Sequence, residues 1–241
     1  MSRILLYHEI AEQPSSYRYE LSVAAFRAHL DMVARSRCKV HITFDDGHLS
    51  NLEAADILEE FGLRATFFVA VGWIGSPGYM SWRDLRGLTA RGHSIQSHTV
   101  SHTFLTQCSN DVVYDELRLS KQLLEEHLGL RVDEIAVPGG RWNRAVVHAA
   151  KRIGYQRVLT TDPWRRPINV DGFEVVGRLN ITAQTNVEWL IDYLNATKPM
   201  LLSRAAFLFK RAAQKTLGDA NYHRLWALIQ RAQAETKRAV P

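Results

Sequence analysis

The stretch Lys39-Val40-His41-Ile42-Thr43-Phe44-Asp45-Asp46-Gly47 decides the fold. Its first six residues alternate polar and apolar side chains and favour an extended strand, which then stops at two carboxylates and a glycine, residues suited to a turn. Paired acids at the C-terminal end of a strand stand where parallel α/β proteins place their chemistry. Working outward, further strands are expected at residues 4–7, 65–71, 93–97, 134–137, 156–160 and 174–176. Helical patterns separate them. Ser22 can cap a helix reaching about Arg35, with Val23, Phe26, Leu30 and Val33 at three- to four-residue spacing. A second helix, 51–61, stops at Gly62, and Ser81 with Asp84 forms a capping-box-like start for a third that ends before Gly92. Two more run from Ser109 to Gly129 and from Asn143 to Gly154. This alternation predicts parallel strands joined by crossover helices in one α/β domain.

A second segment, Ser97-His98-Thr99-Val100-Ser101-His102, directly follows another of these strands. Two histidines at i and i+4 can face one centre from a single helical turn, and a carboxylate from elsewhere can complete three protein ligands, leaving positions for water. The small and hydroxylated residues of 97–104 suit a loop opening into a site better than a core helix. Because both segments end strands, they are expected to converge, with one aspartate holding an ion and its neighbour taking a proton from water. Alone, neither motif is specific: Asp-Gly is ordinary turn chemistry, and a helical His-x-x-x-His is usually structural.

The bulk properties fit a soluble globular protein: 241 residues, 46% hydrophobic and 23% charged. The opening Met1-Ser2-Arg3-Ile4-Leu5-Leu6-Tyr7-His8-Glu9 reaches charge too soon for a signal sequence or a membrane span, so a cytoplasmic location is expected. Cys38 and Cys108 lack metal-type spacing and are read as free thiols. The net charge of +5 is uneven. Nine basic and two acidic residues follow from Lys198 onward, leaving residues 1–197 slightly acidic, which argues against a nucleic-acid partner. Beyond Pro199 the pattern is helical, with Leu201, Ala205, Leu208 and Ala212 in one stripe and Tyr222, Leu225, Trp226 and Ile229 in another. This basic extension, 198–241, is expected either to cap the domain or to touch an anionic membrane surface or a lipid-linked substrate.

Thr43-Phe44-Asp45-Asp46-Gly47, Gly92-His93 and His98-Thr99-x-x-His102 together resemble the first two motifs of the polysaccharide deacetylase family, the NodB-homology carbohydrate esterases. The resemblance implies a distorted (β/α) barrel over residues 1–197, with Asp46, His98 and His102 binding a divalent metal, commonly zinc, and Asp45 as general base. Cobalt, nickel or iron suit the same ligands. It implies hydrolysis of an acetyl group, most often N-linked, on an amino sugar in a polysaccharide, oligosaccharide or lipid-linked glycan. Val137-Pro138-Gly139-Gly140-Arg141-Trp142 resembles the third motif, which gives Gly139 the oxyanion N–H by position. The arginine that orients the base in the family is replaced here by Ala136, and Arg141 is a candidate to compensate. Asp162-Pro163-Trp164 resembles the fourth motif, with Trp164 as an apolar wall for the acetyl methyl.

In Arg178-Leu179-Asn180-Ile181 the histidine of the fifth motif, the general acid, is replaced by Ile181. Arg178 is left as a group that can stabilise negative charge but cannot donate a proton near neutral pH. His8 and His48 are read as structural or loop-exposed. Two further readings stay open: a catalytically weak glycan-binding relative that has lost its acid, and a two-histidine, one-carboxylate iron oxygenase. The oxygenase reading sits poorly with an alternating α/β pattern.

Overall fold

The computed structural model describes residues 3–164, 167–170 and 172–195; the basic extension expected over 198–241 lies outside the described residues. Eleven strands and six α-helices follow one another as β1 (Arg3–Tyr7), β2 (Glu9–Ala11), β3 (Glu20–Ser22), α1 (Val23–Arg35), β4 (Val40–Phe44), α2 (Asn51–Glu60), β5 (Ala65–Val69), α3 (Trp82–Ala90) and β6 (Ser94–Ser97). Then come α4 (Asn110–Leu128), β7 (Glu134–Ala136), α5 (Arg144–Ile153), β8 (Arg157–Thr160), β9 (Ile168–Val170), β10 (Phe173–Gly177), β11 (Leu179–Asn180) and α6 (Val187–Asn195). Within the described residues, every long strand and helix expected from the sequence is present. The short β2/β3 ladder, β9 and β11 were not anticipated, since two or three extended residues carry too little pattern to read, and the nine-residue helix α6 was missed as well.

The helix ends follow from their capping residues. Ser22 Oγ accepts from Ala25 N, Ser81 and Asp84 close a reciprocal capping box, and Ser109 and Asn143 accept from Val112 N and Val146 N. At the other ends, Gly129 and Gly154 take φ values of 64° and 99°, left-handed stops that cost glycine least.

The large sheet has the order β11-β1-β4-β5-β6-β7-β8-β10-β9, parallel throughout except for the β9–β10 pair. Its two ends are joined by the chain itself. β10 pairs with β8, one residue follows, and β11 pairs with β1 through Leu5↔Leu179 and Leu6↔Asn180. That intervening residue is Arg178, so a single bent strand closes the parallel strands into a distorted barrel. Side-chain alternation then sets residues 41, 43 and 45 of one strand, 94, 96 and 98 of another, and 174, 176 and 178 of the closing strand on the inner face.

Outward-facing residues meet the helices. Tyr7, Phe44 and Phe67 form a stacked row with ring centroids 5.5 Å and 5.1 Å apart, and Phe26 of α1 packs edge-on against Tyr7 at 5.2 Å. Leu5, Leu30, Leu58, Leu85, Leu117 and Val147 are buried as well. Each such side chain contributes roughly 1.5–3 kcal/mol relative to exposure. The lower end of the bore is polar instead, a cavity of about 460 Å3 lined by residues that include His41, Gln96, Glu134, Arg157 and Glu174. Among the described residues no helix is long and apolar enough to cross a membrane.

Candidate metal centre

The first acidic motif turns sharply as it leaves β4. Asp45 N donates to Tyr7 O at 3.1 Å, Asp46 takes φ 75° and Gly47 φ 84°. A Cβ on Gly47 would lie 2.9 Å from Val69 Cγ1, so the turn needs glycine there. The two histidines follow β6 in the same way, but no helical turn carries them. Thr99 and His102 adopt left-handed φ values of 68° and 57°, and residues 98–104 form a loop. Asp46, Thr99 and His102 are the three non-glycine residues with positive φ among the described residues. Such conformations cost roughly 1–2 kcal/mol each and persist where surrounding contacts dictate them.

These two loops bring three potential ligands together. The ligand atoms of Asp46, His98 and His102 all lie within 4.8 Å of one another. Both Nε2 atoms stand 3.3 Å from Asp46 Oδ1, yet among the described residues that buried oxygen has no contact with hydrogen-bond geometry. His98 Nδ1 is 2.7 Å from Ala136 O, and because a carbonyl only accepts, Nδ1 carries the proton and Nε2 presents its lone pair to the centre. An unsatisfied buried carboxylate oxygen facing imidazole nitrogens is a donor set that fits a divalent cation.

The electrostatics favour positive charge at this point. Burial alone would suppress charge on His98, but Asp45 and Asp46 outweigh it and hold its pKa above the ordinary imidazole value. For His102 burial prevails, reinforced by His98, and its pKa lies below that value. Burial would also push Asp46 upward, yet its contacts with His98, His8 and His102 keep it well below the usual carboxylate range.

Asp45 is held from beneath. Arg178 Nη1 donates to Oδ1 and Nη2 to Oδ2, both at 2.7 Å, a bidentate pair whose arginine is fully buried and whose aspartate side chain is 4% exposed. The guanidinium crosses the bore over the Phe68 ring, 5.1 Å from its centroid, and donates to Thr43 Oγ1 as well. Burial would raise the Asp45 pKa; Arg178 first, then His98 and His8, keep it depressed and the carboxylate ionised. The orienting arginine therefore comes from the closing strand, while the residue at the family's arginine position, Ala136, packs its small side chain with Phe68 and Leu159.

Gly139 takes φ 62°, and a Cβ there would come within 2.8 Å of Phe104 Cε1. Arg141 lies over the Phe104 ring at 4.1 Å, while the bidentate contact to Asp45 is made by Arg178. Trp164 makes an edge-on ring contact with Tyr193 of α6 at 5.5 Å. Arg178, with no exposed surface, lies under Asp45 rather than in the groove. Ile181 is buried, its N–H donating to Leu6 O.

One residue has a larger place than its sequence reading gave it. His8 immediately follows β1, makes a tilted ring contact with Tyr19 with centroids 4.8 Å apart, and has a buried Nδ1 with no hydrogen-bond partner among the described residues. Its charge state couples to Asp45, Asp46, His98 and Arg178; burial holds its pKa below the ordinary value while the two carboxylates pull it upward. The available signal was position alone: His8 ends the strand next to β4, as Asp45 ends β4.

Comparison with known proteins agrees with this geometry. The profile of the family described as "Polysaccharide deacetylase" matches residues 33–158. The YxkH protein of Bacillus subtilis, which bears a polysaccharide deacetylase name, is 33% identical over 125 residues, 52% of this chain and 45% of YxkH. A peptidoglycan-N-acetylglucosamine deacetylase of Bacillus cereus is 30% identical over 135 residues, 53% of this chain and 61% of that protein. The chain thus spans about half the length of the curated relatives it matches. Among solved structures, the Streptococcus pyogenes deacetylase PplD in complex with acetate has the same fold, with a TM-score of 0.72, 24% identity, and coverage of 80% of this chain and 97% of PplD. With a sequence match over more than half its length and a barrel that gathers the acids and histidines of both motifs, this chain belongs to the polysaccharide deacetylase family.

Proposed function

We propose that this protein is a metal-dependent deacetylase that hydrolyses an N-linked acetyl group on an amino sugar within a glycan. The observation that carries the reading is the Asp46, His98 and His102 cluster with the separate, arginine-clamped Asp45 beside it. A divalent ion held by those three residues would polarise both the attacking water and the acyl oxygen. Asp45, kept ionised and aimed by Arg178, accepts the proton that the water loses. The backbone N–H of Gly139 is the proposed donor to the developing oxyanion. A glycan substrate is supported by half-buried aromatic faces beside the cluster: Trp73 lies 4.9 Å from both the His102 and Tyr79 rings, and such faces suit the apolar side of a pyranose.

His8, whose Nδ1 has no partner among the described residues, is the proposed relay that takes the water's proton from Asp45 and delivers it to the leaving nitrogen, the role left without a residue by Ile181. The variant His8→Gln is expected to lower kcat on an N-acetyl sugar about a hundredfold. An aryl acetate, whose phenolate leaves without protonation, should be hydrolysed within a few-fold of the parent rate. Equal losses on both substrates would remove His8 from this role.

The activity itself is tested by following acetate release from N-acetylglucosamine oligomers of defined length. Turnover is expected after loading with zinc or cobalt, to disappear with a chelator, and to return when the ion is restored. A protein that keeps its ion, binds the oligomer and releases no acetate would be the glycan-binding relative instead. The Arg178 clamp favours the enzyme, since a pure binding surface has no use for a buried, oriented carboxylate.

A further inference from the structure

The loop bearing both histidines is held from its outer side by one carboxylate. Glu116 of α4 accepts Val100 N–H at 2.8 Å and Ser101 N–H at 2.9 Å through Oε2, and Ser101 Oγ–H at 2.7 Å through Oε1. These are the two residues between the left-handed Thr99 and His102. Four other backbone groups of the turn are satisfied elsewhere. Ser97 Oγ accepts Thr99 N–H, Thr99 Oγ1 accepts His102 N–H, and the Thr99 and Val100 carbonyls accept Val71 N–H and Gly72 N–H. Gly72 must be glycine for this approach, because a Cβ there would lie 2.8 Å from Val100 O. The carboxylate thus supplies the acceptors for two successive backbone donors in a turn that two unfavourable φ values oppose.

We propose that Glu116 is a positioning residue for the metal ligands, fixing the left-handed turn that aims His98 and His102 at Asp46 and so setting the affinity of the site for its ion. The inference rests on the reading of Asp46, His98 and His102 as a divalent-metal site. Without the carboxylate, the amides of Val100 and Ser101 would turn to water and the loop would be free to relax toward negative φ. The two imidazoles would then reach the ligating geometry only in a fraction of molecules, and the apparent dissociation constant would rise by the inverse of that fraction.

The experiment measures cobalt binding to the metal-free full chain by its visible absorption, and zinc binding by chelator competition, for the parent, Glu116→Gln and Glu116→Ala. Glu116→Ala is expected to weaken binding about 10- to 100-fold. Glu116→Gln, which keeps one acceptor oxygen, should fall between it and the parent, and the cobalt spectrum of Glu116→Ala should shift. Amide exchange at Val100 and Ser101 should accelerate in the metal-free variant while the strand amides keep their protection. Should Glu116→Ala shift only the unfolding midpoint and leave cobalt affinity and spectrum unchanged, Glu116 would be a structural cap and the inference would fall with the metal site intact. Failure of the folded parent to bind either ion would remove the metal reading and this inference together.

Discussion

Arg178→Met is expected to destabilise the protein by about 3–5 kcal/mol, because it strands the Asp45 carboxylate in the barrel with its main counter-charge gone. Methionine occupies much of the space over Phe68, so the loss should reflect charge more than cavity. The pH dependence carries a sign. In the parent, the depressed Asp45 pKa contributes stability above the unfolded value of about 3.9, and that contribution is lost as pH falls through the folded pKa. In the variant, burial is less opposed and raises Asp45, so protonation relieves the native state as pH falls. Denaturant midpoints from pH 7 down to 4 should therefore show the gap between variant and parent narrowing toward acid. A second substitution provides the control. Ala136→Arg, introduced into Arg178→Met, returns a guanidinium to the family's usual strand and should recover part of the stability and turnover. A variant as stable as the parent at pH 7 would mean that the buried pair does not form.

That pair also shows how far the sequence could be read. The strand-and-helix alternation and the helix caps follow from local patterns, and the convergence of Asp45, Asp46, His98 and His102 follows from both motifs standing at the C-terminal ends of strands in a parallel sheet. Arg178 and His8 were legible only as residue types near strand ends. Their roles arise from closure of the barrel, which sets Arg178 beneath a carboxylate 133 positions earlier and His8 beside two loops. No short-range pattern encodes such closure, and β11, the two-residue strand that completes it, is below the length at which alternation can be recognised. The left-handed turn at Thr99 and His102 was hidden for another reason. The small and hydroxylated residues of 97–104 suited a loop, but its left-handed values depend on tertiary contacts from Glu116, Val71 and Gly72 that no spacing in the sequence reveals.

The proposed chemistry requires a proton-accepting Asp45 distinct from an ion-holding Asp46. Asp45→Asn keeps the shape of the side chain and an oxygen to accept from Arg178, while removing the charge and the basicity. Leaving Arg178 less well compensated will lower stability, so folding is checked by circular dichroism at the assay temperature before any rate is compared. His98 loses one of the two carboxylates that favour its charge, but Asp46 and both imidazoles remain to hold an ion. The decisive measurement is metal content and acetate release on the same Asp45→Asn preparation. The result predicted here is close to one equivalent of bound ion with turnover reduced about 10^3- to 10^4-fold on both an N-acetyl oligosaccharide and an aryl acetate. Turnover within a few-fold of the parent, with the ion still bound, would contradict it.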